Sequence, residues 1–157
     1  MIYVFDTNCL SNVLNHYYQD RFPSFWERFD NAVAEGSVVS VNECKLELTN
    51  KFSSEEVERL SAYNQAFFAK PTAEEMKFVT QIYARPHFQH NLDKKKLLEG
   101  GYFADPFVIA RAKTTDGAVV TEEALRENAA KIPNICKYFD IPCLNLEGFL
   151  LERDWKF

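Results

Sequence analysis

The sequence predicts an α/β fold, a three-layer α/β/α sandwich around a central, mainly parallel sheet of about four or five strands, formed by a single domain over residues 1–157. Three observations carry this expectation. Four short apolar runs, Ile2–Phe5, Val38–Val41, Ala118–Val120 and Cys143–Leu146, have the length and composition of strands buried in a sheet. Helical patterns separate these runs, as crossover connections between parallel strands require. The composition, 46% apolar with five glycines and six prolines in 157 residues, suits one domain with a sizeable core.

Taken in order, the first strand ends on an acid, Asp6, within "YVFDTNCL". Leu10–Tyr17 and Phe25–Ala34 read as helices in the first crossover, and the stripe Phe22, Phe25, Trp26, Phe29 belongs in the core. After the second strand come helical segments at Asn42–Lys51, Glu55–Asn64, Ala73–Tyr83 and Pro106–Lys113. Ser53 to Glu56 and Thr72 to Glu75 both fit the capping box, in which a hydroxyl and a carboxyl satisfy the orphan amides of a helix start. No internal repeat, low-complexity tract or linker divides the chain.

Several classes fall away on composition. No apolar run approaches a membrane span and no basic flank precedes an apolar stretch at the N-terminus, so a cytoplasmic protein without membrane contact is expected. Cys9, Cys44, Cys136 and Cys143 match neither a C-x-x-C pair nor a zinc knuckle and read as reduced thiols. A formal charge of −5 disfavours non-specific binding along nucleic acid unless a local basic surface overrides it.

In parallel sheets, ligands gather at the carboxyl ends of the strands. Asp6 sits at such an end, and "VTEE" places Glu122 and Glu123 at another. "ADPFVIARA" puts Asp105 at the start of a helix whose Phe107, Val108, Ile109 and Ala112 look inward. "VNECKLEL" adds Glu43 and Glu47, four apart on one helix face. Carboxylates brought within about 4 Å repel by roughly 1–4 kcal/mol, depending on the effective dielectric, and a divalent cation offsets that cost. Mg²⁺ and Mn²⁺ prefer oxygen ligands and suit an acid set that lacks histidine and cysteine.

Each acid also has a plain structural reading. Asp105 before Pro106 fits an N-cap followed by proline at the first helical position. Asp6 fits a cap for a helix starting near Thr7, while Glu122 or Glu123 fits a favourable charge at the next helix dipole. Glu47 alone fits a solvated helix face. The functional case rests on the set, because independent caps have no reason to project onto one edge of one sheet.

"VFDTNCL", "ECKLELT", "ADPFVIARA" and "VVTEE", in that order and over nearly the whole chain, resemble the PIN-domain ribonucleases, the family of the VapC-like toxins. The tail "KIPNICKYFDIPCLNLEGFLLERDWKF" is most similar to a subgroup of uncharacterised PIN-like proteins. Carried over by position, the resemblance makes Asp6, Glu47 and Asp105 the metal-holding acids, with Thr7 and Asn8 as polar supports. The fourth acid is usually an aspartate two residues after a strand-end threonine. Here Thr121 is followed by Glu122 and Glu123, a departure in which Glu123 takes the matching place. Thr121 matches the hydroxyl that orients water at the metal.

The resemblance implies hydrolysis of RNA phosphodiesters with Mg²⁺ or Mn²⁺, Asp6, Glu47, Asp105 and Glu123 being the catalytic set and Glu122 and Glu43 supporting it. It also implies an antitoxin partner and a homodimer. The residues agree on the nucleophile: no serine or cysteine is paired with a base, which leaves water. Between Tyr83 and Phe107, Arg85, His87, His90, Lys94, Lys95 and Lys96 stand among aromatics, and Arg85, His87, Lys94, Lys95 and Lys96 are candidate RNA contacts; the other reading is a solvated loop. Arg111 and Lys113 carry the same two readings. The aromatic terminus, Trp155 and Phe157, either docks on the body or serves an interface. Two rivals stay open. An aspartyl phosphotransfer enzyme would want a second aspartate where Asn8 stands, and a non-catalytic member of the same fold would use its acids as caps and surface charge.

Overall fold

Residues 1–92 and 103–157 are described by the structure, a computed structural model. Strand β1 (Tyr3–Phe5) leads into α1 (Thr7–His16) and α2 (Pro23–Glu35). Strand β2 (Val38–Val41) is followed by α3 (Asn42–Leu48) and α4 (Ser54–Leu60), and β3 (Phe68–Ala69) by α5 (Ala73–Tyr83) and a 3₁₀ turn, Pro86–Asn91. Then come α6 (Asp105–Thr114), β4 (Ala118–Val120), α7 (Ile132–Tyr138), β5 (Cys143–Leu144) and α8 (Leu146–Glu152).

The five strands run parallel in the order β3-β2-β1-β4-β5. Register pairs Tyr3 with Val38 on one side of β1 and with Ala118 on the other. The chain therefore winds outward from β1 through β2 to β3, then returns to the opposite side of β1 for β4 and β5. That reversal makes the gap between the ends of β1 and β4 the switch point, the position where open α/β sheets bind ligands.

Alternation along β1 assigns the layers. Tyr3 and Phe5 meet Phe149 of α8 edge-on, with ring centroids 5.0 Å apart in both pairs, and Phe5 also meets Phe29 of α2. Helix α6 contacts β1, β2 and β4, with α5 and α7 packed against it. Helix α2 buries Phe25, Trp26, Phe29, Ala32 and Val33, so the aromatic stripe is core. It ends at Gly36, whose φ of 78° is the left-handed conformation that a side chain would strain. Gly117 precedes β4, and a Cβ there would stand 2.4 Å from the Ile2 carbonyl, so only glycine lets these two backbones pass so closely.

The expected α/β/α architecture holds, with differences that have local causes. The strand expected at Cys143–Leu146 stops at Leu144, because the Asn145 side chain accepts from the Gly148 amide and starts α8. The edge strand β3 and the bounds of helices α7 and α8 were absent from the expectation. Of the two capping boxes, Thr72–Glu75 is complete, whereas at Ser53 only the hydroxyl half forms. Trp155 docks edge-on against Phe25 and Phe149, while Phe157 remains about half exposed beneath the Arg28 guanidinium. The four cysteines are free thiols. No helix among the described residues is long and apolar enough to cross a membrane.

Candidate active site at the sheet switch point

Asp6 is only 4% exposed. Its amide donates to the Val120 carbonyl at 2.9 Å and its Oδ2 accepts from the Thr121 hydroxyl at 3.1 Å, so β1 and β4 hold it jointly. It occupies the N-cap position of α1 but makes no capping bond. Burial pushes its pKa well above the ordinary carboxylate value, the charge of Asp105 pushes it further, and Glu123 adds to this. The nearby Thr7 amide and the Thr121 hydroxyl soften the rise. Three acids from three parts of the chain are therefore electrostatically in one place.

The polar residues behind Asp6 tie down its neighbours. Thr7 donates to Glu47 Oε1 at 2.6 Å, fixing the α3 carboxylate against the first turn of α1. Asn8 Oδ1 accepts from the Glu122 amide at 3.0 Å and lies 3.3 Å from the Thr121 hydroxyl oxygen, joining α1 to the end of β4.

Asp105 is the first residue of α6, and Ala104 holds the N-cap position. The proline signature is thus shifted by one residue along the helix start. Asn91, at the end of the 3₁₀ turn, donates to Asp105 Oδ2 at 3.0 Å and accepts from the Tyr83 hydroxyl at 3.0 Å. Burial raises the Tyr83 pKa and the Asp105 charge raises it further, as expected of a phenol kept as a donor beside acids. This Tyr83–Asn91–Asp105 relay was not anticipated from the sequence; its only signal was an asparagine and a tyrosine in a segment read as an RNA-guiding loop.

The two glutamates after β4 diverge. Glu123 Oε2 accepts from the Ile132 amide at 3.0 Å, capping α7, yet the residue also lines the acid cavity. Its extra methylene accounts for this double reach. Glu122 Oε1 accepts from the Leu146 amide at 2.8 Å at the start of α8 and stands 4.0 Å from the Cys9 thiol. It does not line the cavity.

One cavity of about 310 Å³ is lined by Asp6, Thr7, Asn8, Glu47, Asn50, Lys51, Asp105 and Glu123. A second, of about 280 Å³, shares Glu47, Asp105 and Glu123 and extends past Asn91 and Ala130 to His90, Phe103 and Lys131. Glu43 lies outside both, half-buried, with Oε2 unpaired among the described residues; burial raises its pKa and the Glu75 charge adds to this.

The other expected cations are placed differently. Arg85 donates to the Tyr138 hydroxyl at 2.6 Å and lies 3.9 Å above that ring, while the His87 ring is 3.3 Å from the Ala129 carbonyl. Neither lines the acid cavities. Lys94, Lys95 and Lys96 lie outside the described residues. Arg111 is turned inward, donating to the carbonyls of Ser40, Phe67 and Ala66, where it ties α6 to the β2–β3 edge. Lys113 is exposed and 3.5 Å from the Phe139 carbonyl.

The shared cavity offers carboxylate, amide and hydroxyl oxygens without histidine nitrogen or thiolate on its Asp6 side, a donor set that suits Mg²⁺ or Mn²⁺. Among the described residues, no three carboxylate, imidazole or thiol groups stand close enough to form a finished cage. The fit therefore lies in donor chemistry, common cavity and mutual repulsion.

An all-parallel five-stranded sheet between helices, with acids at the ends of β1 and β4 and at the start of α6, defines a PIN-like fold. The chain belongs to the family described as a domain of unknown function, DUF4411, which matches residues 3–157 and is a PIN-like family. No curated protein matches the sequence. Among solved structures the chain resembles VapBC2 from Rickettsia felis bound to a DNA fragment from their promoter, at 10% identity and TM-score 0.52, over 92% of this chain and 98% of that one. It also resembles FitAcB from Neisseria gonorrhoeae, at 13% identity and TM-score 0.53, over 92% and 97% of the respective chains.

Proposed function

We propose that this protein is a Mg²⁺- or Mn²⁺-dependent endoribonuclease and the toxin of a toxin–antitoxin pair. The observation that carries the reading is the convergence of Asp6, Glu47, Asp105 and Glu123, from four separate segments, on one cavity at the switch point. The likeness in fold to the proteins of VapBC2 and FitAcB supports the toxin role and an antitoxin partner.

Asp6, Glu47 and Asp105 would hold the metal, with Glu123 assisting. Bound there, such an ion lowers the pKa of water and neutralises charge growing on the phosphate. The chain's own residues supply the orientation. Thr121 fixes Asp6, Thr7 fixes Glu47, Asn91 fixes Asp105, and the start of α7 fixes Glu123. Such supporting bonds keep ligand carboxylates in one geometry, and losing one typically costs about 10–100-fold in metal affinity or activity.

Purified protein should cleave a broad panel of single-stranded RNAs in Mn²⁺, and its expression should arrest growth. Asp6→Asn should abolish both. A folded wild type that cleaves no member of the panel with either metal would sink the proposal. In that event the second reading, a non-catalytic nucleic-acid or protein binding module, takes over. It is favoured by one observation: Glu122 and Glu123 both satisfy amides at helix starts.

A further inference from the structure

The two acid cavities are not equivalent. Both contain Glu47, Asp105 and Glu123, but the one on the Asp6 side is otherwise walled by short polar side chains and the exposed Lys51. The other opens between the end of the 3₁₀ turn and the start of α7. Its lining includes the exposed His90 and Lys131 and the half-buried Phe103. Among the described residues, a chain of net charge −5 thus places a lysine in the wall of each of the two cavities that share its carboxylates, Lys51 in one and Lys131 in the other, and the aromatic ring of Phe103 beside Lys131. A polyanion spanning both cavities would meet a cation in each, and its bases would meet a stacking surface on the Lys131 side.

We propose that the cavity bounded by His90, Phe103 and Lys131 is a one-nucleotide subsite for single-stranded RNA, flanking the scissile phosphate on the side away from Lys51. This rests on the nuclease reading and deepens it. Phe103 stacks on the base of that nucleotide, and Lys131 with His90 contacts its phosphate. Stacking on one ring accepts any base, so the subsite selects for an unpaired nucleotide more than for a particular letter. A base paired and stacked within a duplex cannot present its face to Phe103, which adds a preference for single strands over duplex. Asn91 does not read the base, because its side chain already bridges Tyr83 and Asp105.

The test uses the full chain carrying Asp6→Asn, so that RNA is bound without being cut, and measures binding of a fluorescent single-stranded RNA and of its duplex across a range of salt. Phe103→Leu should weaken single-strand binding about 5- to 50-fold, within the range of one lost base–aromatic stack, and leave duplex binding unmoved. Lys131→Ala, at an exposed position that keeps the fold intact, should flatten the plot of log affinity against log salt by about 0.7, the share of one phosphate contact on a single strand. If both variants match the parent in affinity and salt slope while the wild type cleaves RNA in Mn²⁺, the subsite is wrong and the nuclease reading stands. Equal affinity of the parent for duplex and single strand would also overturn it. A wild type that neither binds nor cleaves RNA overturns the nuclease reading, and the subsite with it.

Discussion

Among the acids at or near helix starts, two pairs that bear on the site keep different partners. Glu122 and Glu123 reach forward to the first amides of α8 and α7 and satisfy them. Asp6, at the N-cap position of α1, makes no side-chain capping bond, and Asp105, in the first turn of α6, is held by Asn91. Both line one cavity, and the charge of Asp105 adds to burial in raising the pKa of Asp6. An acid at a helix start is therefore uninformative by itself. The telling feature is a buried carboxylate, Asp6, pressed by like charges from distant segments. Glu123 bridges the two categories, since it caps α7 and still lines the cavity.

The sharpest way to break this comparison is to neutralise one member of each pair. Asp105→Asn should lower Mn²⁺-dependent RNA cleavage by on the order of 10²-fold or more, since it removes a proposed ligand outright rather than a supporting bond. Glu122→Gln should leave cleavage within a few-fold of wild type. Parallel rate measurements decide the matter; comparable losses in both would erase the distinction. Asn91→Ala and Thr121→Val come next, each expected to weaken Mn²⁺ affinity about 10–100-fold by freeing Asp105 and Asp6, as read by metal titration.

Stability should separate the pairs by sign. Glu122→Gln weakens a charged bond to a helix amide and should lower the melting temperature by a few degrees, about 2–4 °C for each kcal/mol in a domain of this size. Asp6→Asn should raise it in metal-free protein, because it removes a buried charge pressed by like charges while asparagine suits the N-cap position equally well. The pH dependence follows from the raised Asp6 pKa. Folding favours the protonated form, so the penalty is absent below the ordinary carboxylate value of 3.8 and grows as pH rises through the higher folded value. The melting-temperature gap between Asp6→Asn and wild type should widen over that interval and close in acid. A constant gap would mean that Asp6 is not the titrating group.

Much of this was legible in the sequence because three features are local. The runs that became β1, β2 and β4 are short and apolar, and Asp6 and Asp105 adjoin hydrophobic runs whose burial fixes where the acids emerge. Strand β3 was not legible, since Phe68–Ala69 has only two residues, too few to show an alternating pattern. Arg111 reads as a phosphate cation in one dimension, yet three sheet-edge carbonyls engage it in three. The choice between Glu122 and Glu123 depends on where α7 and α8 start, and the sequence implied a following helix without giving its bounds. Asn91 and Lys131 reach the site only through the packing of a 3₁₀ turn and of α7, which no spacing rule encodes.

Calorimetric titration of Mn²⁺ into metal-free wild type and into the Asp6→Asn, Asp105→Asn double variant tests the convergence of these carboxylates on one cation most directly. Wild type should bind and release protons, because a raised-pKa acid must ionise to ligate, while the double variant should lose both signals. Equal binding by the two proteins, or none by wild type at millimolar Mn²⁺, would contradict the account.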